Sequence, residues 1–135
     1  MLSPSLETVR LWLHVFAATV WVGGQITLAG LVPGLRALSP DAPRLVARRF
    51  NRIAWPAFVV LVATGIWNLT AVHLGSTSTA YQVTVGVKLA IVALSGVSAA
   101  VHSTTKSRSM LVIFGALTGL SAIGALFLGV LLRAS

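Results

Sequence analysis

Two side chains in this sequence bring an ionisable group into an otherwise apolar stretch. His14 lies in LHVFAATVWVGG, and Lys88 lies in VGVKLAIVAL. Ionisable groups are costly inside a membrane, so such residues are functional candidates by default. A neutral imidazole can ligate a metal or a haem iron, and a lysine can meet an anionic ligand. The alternatives without a ligand are an interhelical hydrogen bond for His14 and, for Lys88, a side chain that snorkels to the interface.

The composition around these residues indicates the class of protein. Of the 135 residues, 56% are hydrophobic and only 9% are charged, and the mean hydropathy is +0.93. A soluble domain usually has about 25% charged residues. The sequence therefore predicts an integral membrane protein with the lipid bilayer as its partner and with one domain over residues 1–135.

Four apolar stretches are long enough to cross a bilayer, since one crossing takes about 20 residues. Their short connections require neighbouring helices to be antiparallel. We therefore predict an all-α, up-down four-helix transmembrane bundle. The predicted spans are about residues 11–35, 53–74, 83–101 and 110–132.

In a soluble protein, a net charge of +8 would suggest a nucleic-acid partner. Here the positions of the charges indicate membrane topology, and we predict no nucleic-acid partner. Seven basic residues belong to the first and third loops, and two flank the spans on the opposite side. By the positive-inside rule we predict a plasma (inner) membrane protein with cytoplasmic basic loops and both termini outside. The seven are Arg36, Arg44, Arg48, Arg49, Arg52, Lys106 and Arg108, and the two are Arg10 and Arg133.

The longest polar segment, residues 39–52, has Arg44, Arg48 and Arg52 on one helical face. It is either a short amphipathic helix on anionic headgroups or a solvated loop that fixes orientation. Pro56 then predicts the start of the second span, because proline fits in a first helical turn. A cleaved signal sequence at the N-terminus is disfavoured by the length of the first apolar stretch and by the lack of a preceding basic segment.

His14 and Lys88 are predicted to share one layer of the membrane. Counted from the outer ends of the first and third spans at 1.5 Å per residue, both lie about 5 to 8 Å deep. Two polar groups at matched depth can form one site. The only acidic residues, Glu7 and Asp41, lie outside the spans, so no membrane carboxylate can neutralise Lys88.

Each of these two helices carries a supporting stripe of residues. On the first, Trp21 follows His14 at helical spacing, with Gly23 and Gly24 beside it. On the third, a polar line that begins at Tyr81 is typical of a face turned to the bundle interior. Glycine would let a flat ligand approach the first helix closely.

The two remaining histidines are weaker candidates. His73, at the outer end of the second span, is interpreted as a loop residue or a second outer metal ligand. His102, at the inner end of the third, is interpreted as an interfacial residue beside Lys106. It lies about a membrane thickness from His14, so those two cannot share a small metal site.

Three segments resemble a known family. LHVFAATVWVGG, RFNRIAWPAFVVLVATGIWNL and VGVKLAIVAL together are similar to the membrane domain of the copper resistance protein D family, and more distantly to HemJ-type protoporphyrinogen oxidases. The resemblance implies a helical bundle that binds haem b or copper. In HemJ-like proteins a first-helix histidine and a third-helix lysine are the functional pair, and His14 and Lys88 match them. GGQITLAG replaces an aromatic-rich HemJ segment, which argues against the oxidase activity more than against haem binding.

The leading hypothesis is a small haem b protein for electron transfer or oxidoreduction near the outer face. His14 would be an axial ligand, and Lys88 a second ligand or the partner of a propionate. Trp21, Gly23 and Gly24 would form the pocket wall. If the chain is an enzyme, it would be a haem-dependent membrane oxidoreductase working with a redox partner.

Two further hypotheses stay open. Copper binding or transport ranks below haem because Cu(I) favours Cys and Met sulfur, and the chain has no Cys and two Met. A non-catalytic subunit of a larger membrane complex, or a homo-oligomer, would use close helix packing at small residues such as those of GALTG in the last span.

Overall fold

The computed structural model describes residues 3–135, and nearly all of them are helical. Four helices are long and apolar enough to cross a membrane, and residues 3–135 contain no β-strand. The predicted all-α class with four spans is confirmed. The helices are α1 (Leu6–Ala18), a π-helical segment (Thr19–Gly23), α2 (Gly24–Leu38), α3 (Ala42–Ala71), a 3-10 turn (Leu74–Ser76), α4 (Thr79–Thr104) and α5 (Arg108–Ala134).

The helices extend beyond the predicted spans because their caps lie in the polar flanks. The Ser5 hydroxyl accepts the Thr8 N–H at 3.2 Å, and Thr8 Oγ1 accepts the Ser5 N–H at 3.3 Å. This capping box starts α1 five residues before the first predicted span. Ser78 caps α4 in the same way, since its hydroxyl accepts the Tyr81 N–H at 3.2 Å.

The second span starts earlier than predicted. α3 runs without a break from Ala42 to Ala71, with Pro43 in its first turn and Pro56 in its interior. The prediction that Pro56 starts the helix is therefore wrong. Residues 39–52 are mostly helical, but they continue directly into the span. At about 45 Å, the length of a 30-residue helix, α3 exceeds the roughly 30 Å hydrocarbon layer.

The first hairpin, residues 3–73, is one compact unit of the chain. Its first arm is the continuous helix Leu6–Leu38, and its second arm is α3. His14 contacts Thr64, whereas Gly24 approaches Phe50. As the contact moves toward the C-terminus of the first arm, its partner moves toward the N-terminus of α3. The two arms are therefore antiparallel.

The π-helical segment brings two adjacent residues into the core of the first hairpin. Trp21 and Val22 are both buried, with 3% and 7% of their surface exposed. A π turn inserts an extra residue into a helix, which shifts the faces on either side of it. The ring centroid of Trp21 lies 4.4 Å from that of Phe58. It lies 5.7 Å from the ring centroid of Trp55, and those two rings meet edge to face. This aromatic cluster joins α3 to the first arm.

The second hairpin, Leu74–Ser135, is the other compact unit. His102 bonds to Leu111, and the Ser95 hydroxyl donates to the Thr118 carbonyl at 3.2 Å, so α4 and α5 are antiparallel. Small residues dominate their contact and let the helices approach closely. The organisation of residues 1–135 as one domain stays a prediction.

Candidate functional site

His14 lies on the face of α1 that packs against α3. Its Nδ1 atom is 2.9 Å from Thr64 Oγ1. One turn further along the same face, Ala17 is buried. The opposite face of α1 carries exposed apolar residues such as Trp12 and Phe16, as expected of a surface in contact with lipid. His14 and Ala17 therefore face α3, and the apolar side chains of the opposite face do not.

The hydrogen bonds of Thr64 favour one tautomer of His14. Thr64 Oγ1 lies 2.7 Å from the Val60 carbonyl, and a threonine hydroxyl has only one proton to donate. A carbonyl can only accept, and the contact to Val60 is shorter than the 2.9 Å contact to His14 Nδ1, so we assign the hydroxyl proton to Val60. Thr64 Oγ1 then accepts from His14 Nδ1–H. This assignment favours the tautomer of the neutral imidazole with its lone pair on Nε2.

This is the interhelical hydrogen bond expected of His14 without a ligand, and it also has the form found beside metal-bound imidazoles. In metal sites, the ring N–H that does not face the metal donates to a protein oxygen, which fixes the tautomer and the ring plane. Thr64 supplies that oxygen from the neighbouring helix. Gly65 lies beside the ring, where a Cβ atom would be in ordinary van der Waals contact, at 3.5 Å, with His14 Cε1.

A second polar layer lies one helical turn beyond His14. Arg10 precedes His14 by four residues, and Asn68 follows Thr64 by four, so the antiparallel register places these two polar residues at the same level. Arg10 Nε and Asn68 Oδ1 are both buried without a hydrogen-bond partner among the described residues. We call Arg10, His14, Thr64 and Asn68 the polar seam. Buried polar atoms left unpaired by protein call for water or a solute.

The residues predicted as a pocket wall lie on the other side of His14. Trp21 is part of the aromatic cluster with Trp55 and Phe58. At Gly24, the Phe50 ring occupies the space that a Cβ atom would need. Gly23 has no neighbouring side chain in that space. At Gly24, the group that the glycine allows to approach closely is therefore the Phe50 ring of α3.

Lys88 and Tyr81 lie in the second hairpin. Lys88 is half-buried, and a Cβ atom at Gly129 would lie only 3.0 Å from its Nζ atom. The ammonium group therefore rests against the backbone of α5. Tyr81 lies in the first turn of α4. A joint site of His14 and Lys88 stays a prediction.

The structure places the other two histidines differently. His73 is exposed, two residues beyond the end of α3. His102 is not simply interfacial, because its Nδ1–H donates to the Leu111 carbonyl at 2.8 Å and its ring covers Gly115. His102 thereby links the C-terminal end of α4 to the first turns of α5. Within residues 3–135 no group of three or more His, Cys, Asp or Glu side chains could hold a metal ion.

Sequence reasoning missed Thr64 and Asn68, which supply the α3 side of the polar seam. Their spacing of four residues within VATGIWNLT was the available signal, since it places both on one helical face. It could not show that this face meets His14, because the register between two helices depends on their packing.

Comparison with known proteins gives one family. Residues 44–110 match the model of the family described as Copper resistance protein D. That range includes most of α3, with Thr64 and Asn68, and all of α4, and it leaves out His14. No curated protein and no solved structure matches the chain. The resemblance to this family is therefore confirmed over residues 44–110, whereas the HemJ resemblance stays a prediction.

Substitution of Thr64 tests the hydrogen bond that orients His14. Thr64→Val keeps the shape of the side chain but leaves a part-buried imidazole N–H without its acceptor, so we expect a loss of about 1 to 3 kcal/mol in unfolding free energy. Thr64→Ser should recover most of that loss. Reversible unfolding in mixed detergent micelles measures both variants. Equal stability of Thr64→Val and the wild type would contradict this role.

Proposed function

We propose that this chain, which matches the copper resistance protein D family over residues 44–110, binds copper ions within the membrane and passes them on. The copper ion is the cargo of the protein. His14 is the residue that we assign to contact it, through Nε2. The family match supports copper as the ion, and the geometry of His14 supports the ligand.

The single observation that carries this proposal is the orientation of the imidazole by Thr64. Imidazole nitrogen suits copper, and a ring whose Nδ1–H is fixed by a hydrogen bond of 2.9 Å presents its other nitrogen in one direction. Outer partners of this kind change metal affinity by about 10- to 100-fold. Thr64 lies inside the family match, so the matched segment contributes directly to the geometry of His14.

The rest of the polar seam suits an ion in transit. Asn68 adds an amide to the seam one turn from Thr64, and its Oδ1 atom can accept from water that accompanies an ion. The positive charge of Arg10, at the same level as Asn68, opposes a cation at His14 and so weakens its binding. An ion that must leave again has to be bound weakly enough to be released.

Haem b, the leading hypothesis of the sequence analysis, is the second candidate for the same imidazole. A proximal histidine is also a haem ligand, and His14 has the orientation that such a role needs. The packing of the proposed wall does not favour it, because Trp21 and Gly24 are covered by Phe58 and Phe50. We therefore place copper first and haem second.

Copper binding by the purified protein in nanodiscs tests the proposal. We expect His14→Ala to lower the affinity for Cu(I) by more than about tenfold, since losing the ligand should cost at least as much as losing its outer partner. Competition with a chromophoric Cu(I) chelator measures the affinity. His73→Ala is the matched control, since it removes an exposed imidazole, and it should bind as the wild type does.

Two outcomes would contradict copper as the cargo at His14. One is an unchanged Cu(I) affinity in His14→Ala. The other is a Soret band in protein expressed with ample haem that disappears in the same variant, which would assign the imidazole to haem iron instead.

We also infer the orientation of the chain in the plasma (inner) membrane from its basic loops. The sequence has no cysteine, so single cysteines are clean reporters. With a membrane-impermeant maleimide, Ser76→Cys should react in intact cells, and Ser107→Cys should react only after permeabilisation. Both positions are exposed. The reverse pattern would contradict the inferred orientation. Association with a redox partner, a larger complex or further copies stays a prediction.

A further inference from the structure

The first hairpin carries a face of exposed arginines at the end where its two arms are joined. Its members lie on one side of α3, because they are spaced at four residues with one further arginine adjacent. We call them the arginine face: Arg44, Arg48, Arg49 and Arg52, all of them exposed. Ala54, on the opposite side of α3, is buried with 2% of its surface exposed. The arginines therefore point away from the helix contact.

Acidic side chains offset at most one charge of the arginine face. The sequence has two acidic residues. Glu7 lies at the other end of the antiparallel hairpin, where it pairs with Arg10 at 3.8 Å. Asp41 lies next to the face, at the start of α3. The second hairpin, residues 74–135, contains no Asp or Glu, so three of the four arginines have no side-chain counter-charge in this chain.

The two arms of the first hairpin have uncharged stretches of different length. In the first arm, residues 11–35 contain no Asp, Glu, Lys or Arg, and they extend over about 37 Å. In α3 the uncharged stretch is residues 53–71, which extend over about 28 Å. The apolar part of the first arm is therefore longer by about 9 Å.

The additional apolar length of the first arm lies beside the arginine face. Gly24 packs against Phe50. The antiparallel register therefore places Ile26 at about the level of Arg48. Ile26 is 54% exposed, and Leu31, further along the same arm, is 52% exposed. Exposed apolar side chains in a membrane span contact lipid, so the arginines at these levels lie at the lipid boundary, where long side chains extend toward the headgroups.

Arginine is the basic side chain that best fits a phosphate group at this boundary. Its planar guanidinium can donate two parallel hydrogen bonds to phosphate oxygens, and it is less strongly hydrated than an ammonium. Every basic residue from 36 to 52 is an arginine, whereas both lysines of the chain belong to the second hairpin. A cluster of four or more basic residues directly beside a span is typical of anionic-lipid binding.

We propose that the arginine face binds the phosphate groups of anionic phospholipids at the membrane interface. The guanidinium groups of Arg48 and Arg52 contact the headgroups, and exposed apolar side chains of α2 such as Ile26 contact the acyl chains. An acidic protein partner would need a surface clear of lipid, which the apolar residues beside the arginines do not provide. The surface belongs to the first hairpin only, and its lipid binding does not depend on copper at His14.

Native mass spectrometry of the detergent-purified chain with short-chain phosphatidylglycerol tests this proposal. Arg48→Gln should weaken binding about fivefold, the usual effect of one basic residue near an anionic surface. The double variant Arg48→Gln with Arg52→Gln should weaken it about 25-fold. Arg133→Gln is the matched control, because it removes an exposed arginine from the last turn of α5, and it should bind as the wild type does.

Comparison of lipids in the wild type decides the chemistry of the headgroup. Phosphatidylcholine of the same chain length should bind at least about fivefold more weakly than phosphatidylglycerol, because its choline cancels the charge of its phosphate. Equal binding of phosphatidylcholine, of inorganic phosphate or of a soluble polyglutamate would overturn the assignment to an anionic lipid. This comparison needs no variant, so it is decisive even if a substitution unfolds the chain.

Comparison of the variants decides the position of the site. Wild-type affinity in the double variant would overturn the assignment to the arginine face. An equal loss of affinity in Arg133→Gln would overturn it too, because the lipid would then respond only to net charge. Thermal unfolding followed by circular dichroism in the same detergent shows that each variant is folded.

Discussion

The hydrogen bond between His14 and Thr64 is the interaction on which the functional account depends. In a bilayer, water is not available to satisfy polar groups, so they must find partners within the protein. The Thr64 hydroxyl lies closer to the Val60 carbonyl of its own helix than to His14 Nδ1, which favours Thr64 as the acceptor of the histidine proton. This bond joins the two arms at that level and favours the tautomer with its lone pair on Nε2.

The two hairpins pair their interior polar groups by different means, and each leaves buried polar atoms without a partner among the described residues, such as Asn68 Oδ1 in the first and Ser98 Oγ in the second. The first pairs side chains across helices and closes one side of the seam with an aromatic cluster. In the second, hydroxyl groups donate to backbone carbonyls: Ser95 to Thr118 across the helices, and Ser121 to Leu117 within α5. Lys88 is half-buried, and its ammonium group lies against the α5 backbone at Gly129.

Much of the fold follows from the sequence because membrane crossing imposes simple rules. The number of spans, their apolar content and the inward polar face of the third span were all predicted, since lipid contact forces them. His14 was recognised as exceptional for the same reason. The start of α3 was not, because a proline such as Pro56 marks a helix start in some contexts and is accommodated inside a helix in others.

The details of the site depend on packing that a single sequence does not reveal. Thr64 is an ordinary polar residue in the sequence, and only the register between α1 and α3 makes it the partner of His14. The π-helical segment likewise has no distinctive composition, yet it directs both Trp21 and Val22 inward. Gly24 was predicted to permit close approach, but the group that approaches is Phe50.

The protonation state of the His14 ring is the most direct test of this account. Side-chain ¹⁵N NMR of the histidine-labelled protein in nanodiscs, with His14 assigned by comparison with His14→Ala, distinguishes a protonated nitrogen from one that carries a lone pair. We predict a protonated Nδ1 and an unprotonated Nε2 in the neutral ring, with the Nε2 signal shifting when Cu(I) is added. A ring protonated on Nε2, or an Nε2 signal that Cu(I) leaves unchanged, would contradict the assignment of His14 as the copper ligand.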